Sequence, residues 1–217
     1  MKPIIAIFLH DPECSIDCVE GMHLALSSKY EIKTFGLKEF TKELLENVDV
    51  IAFPGGLGEA TFFYDHFLGS ATELIQEFVE NGGKYLGICM GAYWAGSNYF
   101  DLLHGVDTVC YVDMHYADVT ENDYGTVVDV TWDNNDELMF FWDGCAIVGD
   151  LRYCDVIARY SNDAAMAVIQ GNVGIIGCHP ESQKYWYTDT EVEIKEYWHE
   201  EEHWKLLLEF VDRLMAQ

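Results

Sequence analysis

Residues 4–9, Ile-Ile-Ala-Ile-Phe-Leu, form an unbroken apolar run, the pattern of a strand covered on both faces in a parallel sheet. His10-Asp11-Pro12 ends it, and from Ser15 onward Val19, Met22, His23 and Leu26 recur at helical spacing. A second strand is predicted over 30–35, a helical face at Phe40, Leu44 and Val48, and a third strand over Val50–Phe53. Ser70-Ala71-Thr72-Glu73 has the form of a capping box, followed by Leu74, Ile75, Phe78 and Val79 on one helical face, with Asn81-Gly82-Gly83 as the stop. A fourth apolar run, 85–88, leads straight into Cys89. The alternation predicts an α/β fold, a doubly wound, mostly parallel sheet with flanking helices, whose ligands sit beyond the carboxyl ends of the strands.

The second half of the chain is β-rich. Short runs at 108–112, 126–131, 138–141, 146–148, 156–160 and 164–168 are divided by turn signals at 132–136, Asp143-Gly144 and Gln170-Gly171-Asn172. A last buried strand over 173–178 ends in His179-Pro180-Glu181-Ser182. Trp204, Leu207, Leu208, Val211 and Leu214 form the stripe of an amphipathic helix over about 199–216. No linker, internal repeat or low-complexity tract divides the chain, so residues 1–217 are expected to form a single domain.

Gly87-Ile88-Cys89-Met90-Gly91 has the spacing of a strand-turn-helix elbow. The flanking glycines let strand and helix pack around a sharp turn that lifts the cysteine out of the sheet and aims the next backbone N–H at the same place. A helix starting there is expected to favour thiolate over thiol through its positive end. Pro54-Gly55-Gly56-Leu57-Gly58, after the third strand, allows backbone N–H groups to point into a shared cavity, as an oxyanion hole requires. His179 and Glu181 supply an imidazole to take the thiol proton and a carboxylate to orient it, with Pro180 stiffening the backbone between them. The bland alternative for Cys89 is a small buried thiol at a strand end; partners expected in the same crevice favour chemistry.

Half of the 217 residues are hydrophobic and 14% aromatic, so a full core is available without disulfide or metal staples. The formal charge of -26, from 12 basic and 38 acidic residues, disfavours direct contact with nucleic-acid backbones or anionic membranes. Seven scattered cysteines suit reduced thiols and a cytoplasmic setting. The apolar run at 4–9 is too short for a signal-peptide core or a membrane span.

Taken in order, Pro54-Gly55-Gly56, Gly-Ile-Cys-Met-Gly around Cys89, and His179-Pro180-Glu181 resemble the class I glutamine amidotransferase-like family, a flavodoxin-like fold. The nearer likeness is to the amidotransferase-like domain at the N-terminus of some biotin-protein ligases and to its free-standing relatives. It rests also on residues 81–93, on Phe141-Trp142-Asp143-Gly144 and on 156–160, and spans roughly residues 4–182. The resemblance implies Cys89 as nucleophile, His179 as general base and then acid, and Glu181 as its orienting carboxylate. Gly55, Gly56, Leu57 and Met90 would surround the oxyanion. Glutamine-using members carry a glutamine four residues after the nucleophile; here that position is Tyr93, which puts glutamine itself in doubt as substrate. The implied activity is cleavage of a small-molecule amide through a thioester, with no cofactor or metal. No phosphate-cradling motif and no ligase-type loop are present, so any ATP-dependent synthetase that consumed the ammonia would be a separate partner chain. The alternative is a catalytically silent binding module whose acidic, aromatic surface engages a basic protein or imitates nucleic acid.

Three further signals are weighed against their packing explanations. His199-Glu200-Glu201-Glu202-His203 fits a zinc-protease spacing but lies in a glutamate-rich tract, and is expected to be an ordinary helix start. Cys14 and Cys18, four apart, are expected to be half-buried thiols on one helix face, and Cys178 to pack in its strand. Tyr185-Trp186-Tyr187 is expected to form a hydrophobic cluster or to cover the crevice.

Overall fold

The computed structural model describes residues 2–120, 124–189 and 192–217. Along the first half the elements are β1 (Ile4–Phe8), α1 (Ile16–Leu26), β2 (Glu31–Phe35), α2 (Lys42–Leu45), β3 (Val50–Phe53), α3 (Ala60–His66), α4 (Ser70–Glu80), β4 (Lys84–Ile88) and α5 (Met90–Trp94). They are followed by β5 (Val106–Cys110), β6 (Thr126–Trp132), β7 (Asn135–Phe141), β8 (Cys145–Gly149), β9 (Asp155–Tyr160), β10 (Ala165–Gln170), β11 (Val173–Ile176) and α6 (Glu202–Met215).

All these strands join one mixed sheet, ordered β2-β1-β3-β4-β11-β10-β9-β6-β7, with β8 pairing to β10 and β5. Parallel pairing is confined to β2, β1, β3, β4 and β11. The other pairings are antiparallel, so the expectation of a mostly parallel sheet holds for the strands of the first half and for β11, and fails for the rest of the second half. The reason is connection length: β6 to β7 and β10 to β11 are joined by two residues each, which only antiparallel neighbours allow. At the β6–β7 turn, Asp133 and Asn134 have φ 47° and 69°, the pair of positive values a two-residue hairpin favours.

Every residue of β3, β4 and β11 is buried, including Lys84 at the start of β4, whose Nζ donates to Asn172 Oδ1 at 2.6 Å, whereas β2 lies at an edge and exposes Glu31, Lys33 and Thr34. Because β2 and β3 flank β1 on opposite sides, the strand order reverses at β1. The crevice beyond that reversal is where a sheet of this kind opens to ligands.

Two local expectations are corrected. Ser70 is the first helical residue of α4 rather than its cap; Gly69, with φ 88°, stands at the cap position and has no side chain to bond. Thr72 instead turns its hydroxyl to the Phe67 carbonyl at 2.7 Å. Helix α3, Ala-Thr-Phe-Phe-Tyr-Asp-His, carries no periodic apolar stripe and was not expected. It forms because Phe63 docks into an aromatic nest with Phe67, Trp94, Tyr99 and Phe100 at centroid distances of 4.8–5.7 Å, where ring pairs each add about 1 kcal/mol beyond burial.

Helix α6 starts at Glu202, three residues after the expected start, and buries His203, Leu207, Phe210, Val211 and Leu214. His199 lies before it as a local cap: its Nδ1 accepts the His203 N–H at 3.3 Å, while Nε2 faces the Ser182 hydroxyl at 3.3 Å. Burial and the neighbouring His203 push His199 down to about 3. A neutral His199 is therefore built into the fold, contributing stability above the unfolded histidine value that is lost as pH falls toward 3. We expect an acid-induced loss on the order of 2 kcal/mol between pH 6.5 and 3.5, after discounting for partial exposure. His199→Asn should flatten that slope in urea titrations at stepped pH. Among the described residues no helix is long and apolar enough to cross a membrane.

Candidate functional site

The elbow forms at the carboxyl end of β4. Cys89 has φ 51° and ψ -106°, a backbone conformation that non-glycine residues avoid and that is held only by tight surroundings. The glycines explain how. A methyl group on Gly87 would overlap the Gly91 carbonyl, and one on Gly91 would overlap the Phe53 carbonyl at the end of β3. The Gly91 N–H donates to the Pro54 carbonyl at 3.1 Å, and the buried Tyr85 hydroxyl to the Gly91 carbonyl at 2.7 Å, so β3, β4 and the turn are tied together. The helix that follows, α5, has only five residues. The expected dipole effect on the thiol is therefore reduced to the local N–H groups of the turn, since too few peptides are aligned to build a long-range field.

The Cys89 Sγ–H points to the Trp142 carbonyl at 3.5 Å, and the residue is 6% exposed on the wall of a cavity of about 1080 Å³. The same cavity is reached by Pro12 and Ser15 after β1, Gly56 and Leu57 after β3, and His179 after β11. Four parallel strands thus deliver their carboxyl ends to one place.

His179 is fixed from several sides. Its backbone N–H donates to the Phe140 carbonyl at 2.9 Å, and its ring meets Phe140 and Trp186 edge-on at 6.0 and 5.6 Å. Its Nδ1 lies 2.9 Å from Glu181 Oε1, which leaves Nε2 for the thiol side. Burial opposes a charged ring here. Glu181, then Cys89, and hydrogen bonds with Cys18 and Cys89 outweigh that burial and raise His179 well above the ordinary imidazole range. Glu181 is fully buried, and its second oxygen, Oε2, has no hydrogen-bond partner.

The structure places Cys89 and His179 on the wall of the same cavity, with Glu181 against Nδ1 of His179. The glycine loop is different in detail. Gly55 is the floor beneath the imidazole: a methyl there would lie 2.7 Å from His179 Cε1 and 2.8 Å from Cys18 Sγ. The Leu57 N–H donates to the Glu13 carbonyl at 2.8 Å, so it is committed to holding the loop and does not serve an oxyanion. Gly56 and Met90 line the cavity beside Cys89. Tyr93 also lines it, with its hydroxyl 3.3 Å from the Asp143 carbonyl, and burial raises its phenol far above the usual range.

Several wall residues were not foreseen as such. Trp142, half exposed, offers the carbonyl that meets Cys89, and Asp17 and Asp189 bring negative charge. Tyr185 and Trp186 cover the crevice, while Tyr187 turns inward to pack with Phe140 and Ile194. Cys14 and Cys18 do not share a helix face. Cys14 precedes α1 and its Sγ accepts the His10 N–H at 2.8 Å, whereas Cys18 sits in the first turn of α1 with its Sγ 4.0 Å from His179 Nδ1. The one signal that could have found Cys18 is its position just after β1, whose carboxyl end belongs to the crevice. Cys178 is buried as expected but lies two residues beyond the end of β11, outside the strand predicted to hold it, with its Sγ 3.6 Å from the Tyr160 hydroxyl and burial pushing it up to about 12. Behind the site, the Trp204 indole N–H donates to the Ser182 carbonyl at 3.0 Å, bracing the His179–Glu181 segment against α6.

Comparison with known proteins agrees with this architecture. Residues 10–105 match the family described as biotin-protein ligase, N terminal. A glutamine amidotransferase structure from Thermotoga maritima superposes with a TM-score of 0.69 over 100% of both chains at 16% identity. One from Methylobacillus flagellatus gives 0.64 over 100% of this chain and 93% of that one at 13% identity. A further glutamine amidotransferase gives 0.67 over 98% and 99% at 16% identity. No curated protein matches the chain. The expected resemblance is found in the family match and in the fold; identities this low carry the fold and no more.

Proposed function

We propose that the protein is a cysteine amidohydrolase or amidotransferase acting on a small-molecule amide. The observation that carries this reading is that Cys89, on its strained turn, shares one cavity wall with His179, whose Nδ1 is held from behind by the buried Glu181. Glu181 holds the proton on Nδ1, so Nε2 presents a lone pair and takes the proton from Cys89. The thiolate attacks the amide carbon, and the N–H groups of Met90 and Gly56 receive the developing oxyanion. The imidazolium then protonates the leaving nitrogen, ammonia departs and a thioester remains. Water attacks the thioester, His179 takes its proton, and collapse returns the thiol with release of a carboxylic acid.

The walls bear on the substrate. Tyr93, Phe140, Trp142 and Trp186 stand with Asp17 and Asp189, and no lysine or arginine is among the described lining residues. Such a wall suits an amide carried on a neutral or cationic, partly apolar body better than one bearing a free carboxylate. Together with Tyr93 this argues against bare glutamine. If the released ammonia is used, the acceptor enzyme is an ATP-dependent synthetase on another chain.

A short iodoacetamide pulse at pH 6.5, mapped by peptide mass, tests the reading. Cys89 should be alkylated first, with His179→Ala slowing it roughly 100-fold. Label confined to Cys110 and Cys154, the two less-buried thiols, with Cys89 untouched would favour a silent binding module instead.

A further inference from the structure

We propose that Cys18, His179 and Glu181 form a site for a thiophilic divalent cation such as Zn²⁺, at the Nδ1 edge of the imidazole, and that an ion there holds the triad off. The ligand atoms of these three residues lie within 4.8 Å of one another. Cys18 Sγ is 4.0 Å and Glu181 Oε1 2.9 Å from the same nitrogen, His179 Nδ1. In a tetrahedral zinc site, with bonds of about 2.3 Å to sulfur and 2.0 Å to nitrogen or oxygen, ligands sit roughly 3.3–3.6 Å apart. Cys18 must therefore approach by a few tenths of an ångström and the carboxylate draw back by as much.

Two other features point to a ligand. Glu181 Oε2 is buried without a hydrogen-bond partner, a state a carboxylate oxygen rarely keeps. Thiolate, imidazole and carboxylate together also form the mixed donor set that zinc accepts. Charge closes as well: one thiolate, one carboxylate and one neutral imidazole balance a dication, so the filled pocket is neutral where burial is nearly complete. Cys18 and His179 both reach the cavity, which provides a way in and a fourth position for water.

Binding releases the proton of the Cys18 thiol to solvent and moves the ring proton from Nδ1, where the metal binds, to Nε2. The metal-bound imidazole stays neutral. It then has no lone pair for the Cys89 proton, and the nucleophile stays a thiol. This blocks the dyad without contact between metal and Cys89.

The test is spectroscopic and stands whether or not Cys89 has enzymatic activity. The full chain, reduced and stripped with chelator, is titrated with Co²⁺. One equivalent should produce a thiolate-to-cobalt charge-transfer band that survives Cys89→Ala and is absent in Cys18→Ala, which lacks the only thiolate donor of the site. A fold-independent arm uses Cys89→Ala protein, in which Zn²⁺ should protect Cys18 from alkylation. Absence of the band in the unaltered chain, its loss in Cys89→Ala, or alkylation of Cys18 unaffected by Zn²⁺ would each overturn the proposal.

Discussion

Cys89→Ala is expected to reduce ammonia release from an amide substrate by roughly 10⁴-fold or more, because oriented binding and the oxyanion donors are all that remain once the nucleophile is gone. Stability should behave differently. The alanine keeps the Cβ that makes φ 51° and ψ -106° unfavourable, whereas glycine removes it. Strain of this kind costs about 1–3 kcal/mol, against about 0.5–1 kcal/mol for the added freedom of glycine in the unfolded chain. Cys89→Gly should therefore be equally inactive and about 1 kcal/mol more stable than Cys89→Ala in urea unfolding. Such a pair of variants separates a residue kept for chemistry from one kept for packing. An alanine variant that retained full turnover would remove Cys89 from the mechanism.

Glu181→Gln is expected to lower kcat by roughly 10³- to 10⁴-fold with little change in secondary structure. The amide has the same shape, yet its NH₂ group can face Nδ1 and force the ring proton onto Nε2, the tautomer that cannot accept from Cys89. The pH dependence of stability should change too, measured in chelator-treated protein. His179 is raised in the folded state, against its burial, by Glu181 first and by Cys89 next. Its contribution is present in full below the unfolded histidine value of about 6.5 and is lost as pH rises through the raised folded value. Without the carboxylate that loss should shrink, so the urea midpoints of variant and parent should converge at high pH. Unchanged kcat in Glu181→Gln would mean that the imidazole is oriented by something else.

Much of the parallel half was legible because its strands are buried on both faces and so read as continuous apolar runs: residues 4–9, 50–53 and 85–88 all became strands within a residue or two. The elbow was legible for a steric reason, since Gly87 and Gly91 stand where a side chain would strike neighbouring backbone. Helix α3 was not, because its seven residues owe their shape to the rings around Phe63 rather than to any periodic stripe. Cys18 was grouped with Cys14 by their separation of four, although the helical spacing starts at Ser15, and nothing local says that its sulfur meets His179. Leu57 was grouped with the glycines by adjacency, and only the Glu13 carbonyl shows where its N–H goes.

By itself the order of residues determined the alternating elements, the sharp turn at Cys89 and the presence of an imidazole and a carboxylate two residues apart, since each depends on local sterics or short-range periodicity. Tertiary structure decided what surrounds them. It seated Cys18 beside Nδ1 of His179, spent the Leu57 N–H on Glu13, shortened α5 to five residues and walled the crevice with tryptophan, tyrosine and aspartate from distant loops. Those outcomes depend on which strand ends meet, and meeting is set by the burial of a whole sheet rather than by any stretch of chain alone.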